Sequence, residues 1–483
     1  MPENLKKDTL KGVKWSALER ISLQGIQFII GLILARLLTP TDFGIVGMLA
    51  IFISISQTFI DGGFSNALIR KIDRTEVDCS TTFYFNIAVG LICYGLLFLL
   101  SPYIAKFFNT PILSDLLKVL SISIFINSLT VVQIAKLSIA INFKAQALAT
   151  LISVILSGGI GIMLAYKGYG VWSLAWQNVL NAFFKSIIIW YLSKWKPLFA
   201  FSMSSFKNLF SYGSKLLTSN LIGTVYEHMT TIAIGKFYTA KDLGFYSRGQ
   251  QFAHLPSTAI TDVLGRVTFP ILAKLQNEDD KLIQVYRKYI QITSMIIFFL
   301  LTLLAAIAKP LIIFLLTDKW SDAILFLQIF CFAFMFEHIS KLNLNLLQVK
   351  GRSDLYLRLE IIKKIIAFSI LAVSIPFGVL IICVSKILNG QLALFINTYY
   401  TGKLFNLGYI KQITDFSKYF IFSIIACLPT YLMTFYSFSP ILLLIIGTII
   451  SIVIYSFLLR KDNNFLSIIN LIKQKVHKSY HKN

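Results

Sequence analysis

Acidic residues are scarce in this chain. Asp and Glu number 22 against 45 Lys and Arg, a formal charge of +23. In a soluble protein such an excess would point to nucleic acid. Here the cations sit in alternate connections between apolar stretches, not on an aromatic-studded face, so no nucleic-acid partner is expected. Cysteine is sparse too: Cys79, Cys93, Cys331, Cys383 and Cys427 are scattered inside apolar stretches without metal-ligand spacing. They read as small apolar fillers, and no metal site or cofactor is expected. No G-x-S-x-G, H-E-x-x-H, P-loop or loop Asp-x-Asp motif occurs. Without a nucleotide site the chain cannot burn ATP, so any transport must draw on an ion gradient, the membrane potential or substrate supply. No large loop offers an acceptor site for a polymerase or ligase, which argues against a membrane enzyme. The start has no short apolar core followed by small residues, so the first helix itself is expected to target the chain.

What is abundant is apolar residues, 56% of the total. A soluble core of this size could not bury that surface and keep a polar exterior. Stretches of about 20 mostly apolar residues mark membrane spans. About 14 are expected, near 15–38, 43–69, 80–105, 115–140, 147–166, 169–193, 207–234, 243–272, 285–316, 322–348, 356–377, 379–401, 413–436 and 439–459. The stretches 43–69 and 243–272 are diluted by Asp61, Arg248, Asp262 and Arg266. A reentrant or surface helix is the other reading there. The expected class is an all-α integral membrane protein.

Charge sets the expected orientation. Lys6, Lys7 and Lys11, then Arg70, Lys71 and Arg74, then Lys274, Lys281, Arg287 and Lys288 collect on one side. The turns Pro376-Phe-Gly378 and Ser437-Phe-Ser-Pro440, on the other side, carry no cation. By the positive-inside rule both termini are expected in the cytoplasm. The tail 461–483 is basic and reads as an interfacial helix drawn to anionic lipid.

The chain also repeats itself at an offset of about 200 residues. Arg36-Leu-Leu-Thr-Pro-Thr-Asp42-Phe-Gly44 aligns with Lys236-Phe-Tyr-Thr-Ala-Lys-Asp242-Leu-Gly244, and Gly12-Val-Lys14 with Gly213-Ser-Lys215. Each copy runs Gly-x-Lys, an apolar helix, a cation, a turn with Asp-x-Gly and another helix. Duplicated bundles in membranes hold their site between the halves, so the pattern points to a transporter. The expected organisation is 1–200 and 201–405 as two six-helix lobes related by a pseudo-twofold axis. Two further helices over 406–460 and the basic tail complete it.

Ionisable groups inside spans are costly and mark a wet cavity or a partner. Arg20, Gln24 and Gln27 form one stripe on the first helix beside Glu19. Asp61 stands on the second, Lys215, Glu227 and His228 on the seventh, and Arg248, His254, Asp262 and Arg266 on the eighth. Lys341 stands on the tenth beside Glu337 and His338. Arg20, Arg248, Arg266, Lys215 and Lys341, with Gln24 and Gln27, are the substrate-binding candidates, because a guanidinium fork suits phosphate oxygens. Asp61, Glu227, Glu19 and Asp262 are the candidates for proton or sodium coupling. Plainer readings stand beside these. Lys14, Lys215, Lys363 and Lys364 can snorkel to the interface. Glu19 with Arg20, and Asp262 with Arg266, can be internal ion pairs. Arg248, near a turn, is expected at a water-exposed lip, and His228 and His254 read as packing residues. Gly62-Gly63 and Gly158-Gly-Ile-Gly161 read as close helix contacts or flexing points rather than phosphate loops. Pro256 and Pro429 should bend their helices.

The runs Gly12-Val-Lys-Trp-Ser, Leu34-Ala-Arg-Leu-Leu-Thr-Pro-Thr-Asp-Phe-Gly44, Phe59-Ile-Asp-Gly-Gly-Phe-Ser-Asn-Ala-Leu68 and Lys236-Phe-Tyr-Thr-Ala-Lys-Asp-Leu-Gly-Phe-Tyr-Ser-Arg248 resemble bacterial polysaccharide transporters. These are the Wzx-type flippases, in particular the colanic-acid and teichuronic-acid exporter branch of the multidrug/oligosaccharidyl-lipid/polysaccharide exporter superfamily. The resemblance covers essentially the whole chain and is strongest over 8–75 and 206–270. It implies two six-helix lobes with helices 13 and 14 appended. The implied substrate is a polyprenyl-diphosphate-linked oligosaccharide, moved by alternating access in the bacterial cytoplasmic (inner) membrane. Membrane lipids, a polysaccharide polymerase and other assembly proteins are the implied partners. Lipid II flippases of the superfamily use cations in the first, second and eighth helices. Arg20 and Arg248 would stand in analogous roles, but the motif around them does not match, and the second helix here offers Asp61 in place of a central cation, which weakens that assignment. A drug exporter of the same superfamily is the chief alternative. A structural scaffold is disfavoured by the density of buried charge.

Overall fold

The structure, a computed structural model, describes residues 22–480, without the side chains of 259–260, 262–267, 471–473 and 475–480. The described residues are mostly helical, with no strand among them. The chain runs α1 (Ser22–Leu37), α2 (Pro40–Asp61), α3 (Phe64–Arg70), α4 (Glu76–Phe107), α5 (Leu113–Ser128), α6 (Val131–Ile139), α7 (Phe143–Tyr166), α8 (Val171–Ser193), α9 (Met203–Phe237) and α10 (Ala240–Lys274). It continues through α11 (Asp279–Ala306), α12 (Ala308–Leu316), α13 (Ala323–Phe334), α14 (Glu337–Val349), α15 (Ser353–Ser374), α16 (Val379–Phe405), α17 (Tyr409–Met433), α18 (Pro440–Leu458) and α19 (Asn463–Tyr480). Within the described residues every expected span falls on one of these helices or on a consecutive pair; 15–21 of the first span lie outside them. Among the described residues, 9 helical stretches are long and apolar enough to cross a membrane, Pro40–Arg70 included. The protein is an all-α integral membrane protein.

Two compact units divide the chain, Met1–Gly244 and Phe245–Asn483. In the first, α9 packs along α2 and α3, α4 against α5, and α7 against α8. In the second, α11 packs on α17, α17 on α18, and α13 and α14 on α16. Large apolar side chains such as Ile92, Leu99, Ile365 and Phe368 are exposed, while Ser101, Ser121, Ser153, Thr398 and Thr401 are buried. That inversion is expected of a bundle in lipid, where helices associate through small residues and short hydrogen bonds. Thr430 on α17 shows it: its hydroxyl donates to the Gly447 carbonyl at 2.7 Å and pairs with Ser451 at 2.7 Å across α18.

The repeated Asp-x-Gly motif has a local explanation. Thr39 and Asp42 form a capping box at the start of α2: the Thr39 hydroxyl accepts from the Asp42 N–H, and the Asp42 carboxylate accepts from the Thr39 N–H at 2.8 Å. Thr239 and Asp242 repeat this at the start of α10 (3.1 and 3.2 Å). Each box satisfies two N–H groups that a helix start leaves open. Gly44 and Gly244 then lie one turn in. A Cβ on Gly44 would strike the Ala240 carbonyl, and a Cβ on Gly244 the Pro40 carbonyl. All four residues lie in the first unit, and the relation is reciprocal.

Gly63, at φ +73°, starts α3 and packs on the backbone of Gly213, where a Cβ would come within 2.5 Å of the Gly213 oxygen. Gly158 packs on Ile30 and Gly161 on Gln177. All three make close helix contacts, as their sequence context implied. Pro256 and Pro429 lie inside α10 and α17.

Beyond the last span, Asp462 caps α19 by accepting from the N–H groups of Asn464 (2.9 Å) and Phe465 (3.1 Å). Burial alone would push its carboxyl up. The Lys418 ammonium at 2.5 Å and the capping N–H groups outweigh that and hold it below the usual carboxylate range. A depressed folded value means the carboxylate stabilises once ionised. The contribution is therefore present above the unfolded value of about 3.9 and is lost as pH falls through the lower folded value. Thermal unfolding of wild type and Asp462→Asn should accordingly differ at neutral pH and converge below about pH 4. A difference that persists unchanged in acid would remove the carboxylate from the account.

Candidate functional site

A polar chain links α5 to α2 in the first unit, from half-buried Asn127 and Gln57 to exposed Asp61. On α5, the Asn127 amide donates to the Gln57 carbonyl oxygen at 3.0 Å. On α2, the Gln57 amide donates to Asp61 Oδ1 at 3.0 Å. Gln57 and Asp61 stand at i and i+4, so they share a face, and the amide of Gln57 relays the ordering of Asn127 to the carboxylate. Beside them the hydroxyls of Thr58 on α2 and Thr224 on α9 share a hydrogen bond at 3.1 Å. Lys185, near the middle of α8, lies close enough for its charge to act on Asp61. The cluster thus joins four helices around an accessible anion, a cation and neutral donors and acceptors. Such a set can hold phosphate oxygens through the lysine and sugar hydroxyls through amides and hydroxyls, while Asp61 can take up a proton or a small cation.

The other candidates of the first unit fall in different places. Gln24 is half-buried and Gln27 exposed on α1, whose apolar side packs through Ile30 and Leu34 against Val154 and Leu174. Glu227 is exposed on α9 three residues past Thr224, on the same face. Lys215 is exposed but nine residues before Thr224, which puts it on the opposite side of α9. Glu19 and Arg20 lie outside the described residues.

In the second unit Arg248 departs from expectation. It does not sit at a water-exposed lip: only 7% of it is exposed. Its guanidinium lies 5.7 Å from the Trp320 ring centroid, and Nη1 donates to Gln251 at 2.6 Å. The physical reason is the neighbouring Gly249, which lets the α10 backbone approach Phe326 and Leu327 of α13 and draws this face of the helix inside. Lys341 is engaged within α14 by Glu337 at 3.0 Å, an i, i+4 pair. His338 is buried and hydrogen-bonds the Ser294 hydroxyl at 2.9 Å, and His254 packs edge-on to Phe334. Lys363 pairs with Glu360 at 2.5 Å. The side chains of Asp262 and Arg266 lie outside the described residues.

Lys185 and Asn127 were missed by sequence reasoning. The signal was there for Lys185, a single cation inside Phe183-Phe-Lys-Ser-Ile-Ile188. Asn127 carries no charge, and only its packing beside Gln57 marks it.

A family model described as "Polysaccharide biosynthesis protein" matches residues 33–325, more than half of the chain. The chain belongs to this family. Among curated relatives, the teichuronic acid biosynthesis protein TuaB of Bacillus subtilis (strain 168) is 27% identical over 354 residues, 73% of each chain. The lipopolysaccharide biosynthesis protein WzxC of Escherichia coli (strain K12) is 23% identical over 366 residues, 74% of each. Among solved structures, the lipid II flippase MurJ in an inward closed conformation superposes with a TM-score of 0.72 at 16% identity, covering 92% of this chain and 99% of that one. This likeness is one of fold. The polysaccharide biosynthesis family assignment spans α2 to α10 entirely, and so includes every residue of the Asp61 cluster.

Proposed function

We propose that the protein is a secondary transporter that flips polyprenyl-diphosphate-linked oligosaccharide repeat units across the bacterial cytoplasmic membrane by alternating access. It would supply the assembly of a surface polysaccharide such as O-antigen, capsule or exopolysaccharide. The observation that carries the reading is membership of the polysaccharide biosynthesis family over the segment that holds the Asp61–Lys185 cluster. A diphosphate needs a cation in a sheltered place, and Lys185 supplies one. The sugars need paired donors and acceptors, and Gln57, Asn127, Thr58 and Thr224 supply them. A proton or sodium gradient drives the cycle through Asp61, with Glu227 close by on α9. A polysaccharide polymerase and other assembly proteins receive the exported unit.

Proteoliposomes loaded with labelled lipid-linked oligosaccharide test the substrate and the drive together. The label should become accessible on the far leaflet only with the protein present, and faster under an imposed proton or sodium gradient. Asp61→Asn with Glu227→Gln should remove the response to the gradient. Flipping that ignores the protein sinks the function; a double variant that still answers the gradient sinks the coupling role alone.

Both termini lie in the cytoplasm on this reading, from the alternation of cations across the connections. Reporter fusions at Pro376 and at Lys350 should report opposite compartments, since one turn carries no cation and the other carries Lys350 and Arg352. The same compartment at both positions would overturn the topology.

A further inference from the structure

A second polar feature lies far along the chain from the Asp61 cluster, at one end of the second unit. α11, α17 and the turn into α19 enclose a cleft of about 570 Å3, within the range of about 300–1,000 Å3 typical of small-molecule sites. Four cations line it, Arg287, Lys288, Lys418 and Lys461, against one lining acid, Asp462.

The floor is held by a continuous hydrogen-bond network. Arg287 grips the buried Asp415 with two bonds, Nε to Oδ2 at 2.9 Å and Nη2 to Oδ1 at 2.8 Å. The Gln291 amide donates to the same carboxylate at 3.0 Å, and its oxygen accepts from Asn464 at 2.9 Å. Asn464 also reaches the Tyr419 hydroxyl at 3.0 Å, which in turn donates to Asp462. Asp462 is already engaged by Lys418 and by the N–H groups that open α19. Both carboxylates are therefore spent inside the floor, while Lys288 and Lys461 remain exposed at the rim. Even with Asp415 counted beside Asp462, cations outnumber acids there, and a preorganised floor lowers the cost of ordering a ligand.

We propose that this cleft binds the phosphate group of an anionic phospholipid. A phosphate diester offers the two charged oxygens that guanidinium and ammonium groups take up best. The neighbouring surface favours a lipid over a free ion: Ile421 and Ile425 follow Lys418 at i+3 and i+7 on α17, and both are exposed. They would run beneath the headgroup, where acyl chains lie. All four lining cations belong to the connections and ends that positive-inside alternation assigns to the cytoplasm. Basic pockets between spans on that side take anionic headgroups.

The test uses the purified full-length protein in a neutral detergent, with short-chain phosphatidylglycerol as probe and binding read by native mass spectrometry. Phosphatidylcholine and inorganic phosphate are the comparison ligands. Phosphatidylglycerol should bind well ahead of both. Lys288→Ala with Lys461→Ala, which spares the floor network, should weaken it about 30-fold. Lys403→Ala with Lys411→Ala removes the same charge outside the cleft and should change affinity less than about twofold. Equal losses in the two double variants, or equal binding of phosphatidylcholine, would overturn the site. Inorganic phosphate that competes fully at equal concentration would overturn the lipid assignment in favour of a free-anion site. Lys288→Gln with Lys461→Gln serves as the second variant should the alanine pair prove unstable, judged by its unfolding temperature without lipid.

Discussion

Replacing Lys185 with Ala should cut glycan export about 30-fold while the protein stays in the membrane at near wild-type amount. A lysine in a span costs roughly 2.5–3.5 kcal/mol to insert, so it persists only where something offsets it. Asp61 is one such group, and on the proposed function the incoming diphosphate is another. Asp61 is exposed and Lys185 half-buried, so the loss should sit at the low end of the roughly 2–5 kcal/mol that truncating a buried charge partner costs, about 30-fold in transport rate at limiting substrate. Lys185→Arg should recover much of this, because a guanidinium keeps the charge and adds a fork for phosphate oxygens. A double-mutant comparison separates two roles. If Lys185 acts only by holding Asp61, then Lys185→Ala adds nothing to Asp61→Asn; if it also meets substrate, the two losses compound. Export at wild-type rate in Lys185→Ala, with normal abundance, would take this residue out of the transport path.

Gly44→Ala and Gly244→Ala should each destabilise the protein by about 2–3 kcal/mol, near the top of the range for overpacking. The neighbours are backbone carbonyls of Ala240 and Pro40, which cannot swing aside as the end of a long side chain can. The helix starts must separate, and the capping boxes that set their direction oppose that movement. Because both glycines serve one crossing, the double variant should cost much less than the sum of the singles. Gly159→Ala gives the control: no atom of a neighbour lies within 4 Å of its Cβ position, and Ala favours the helix by about 0.5–1 kcal/mol. Unfolding temperatures of the purified variants check all four. Equal, additive small losses at Gly44 and Gly244 would mean that the crossing does not control stability.

The two predictions draw on different amounts of what one dimension can reveal. Thr39-Pro-Thr-Asp42-Phe-Gly44 and its repeat were visible as a motif, and the capping role of Asp42 and Asp242 follows from local geometry, since Thr at the cap and an acid three residues on form a short-range pair. What neither copy revealed was that each glycine meets the first residue of the other helix. That contact joins positions about 200 apart and depends on how α2 and α10 cross. Arg248 makes the same point in the other direction. Its sequence distance from a turn suggested water, but Gly249 lets α13 approach and Trp320 covers the guanidinium. Asp61 was legible as a carboxylate in an apolar span, and Gln57 as a polar residue one turn before it on the same helix; Asn127 and Lys185 sit on two other helices and were not.

Membrane class, the helix pattern and the repeated Thr-x-x-Asp-x-Gly cap follow from the chain alone, because hydropathy, cap residues and repeated landmarks are properties of neighbours along it. Lipid as solvent leaves the helix as the available solution for each long apolar stretch. The meeting of polar groups is another matter. Asn127 with Gln57, Thr58 with Thr224, Lys185 near Asp61 and the four cations around the Asp415 floor each pair residues that share no local pattern. An intramembrane side chain has several faces it could turn to at similar local cost. The packing of small residues between helices decides which one it takes, and that packing exists only in three dimensions.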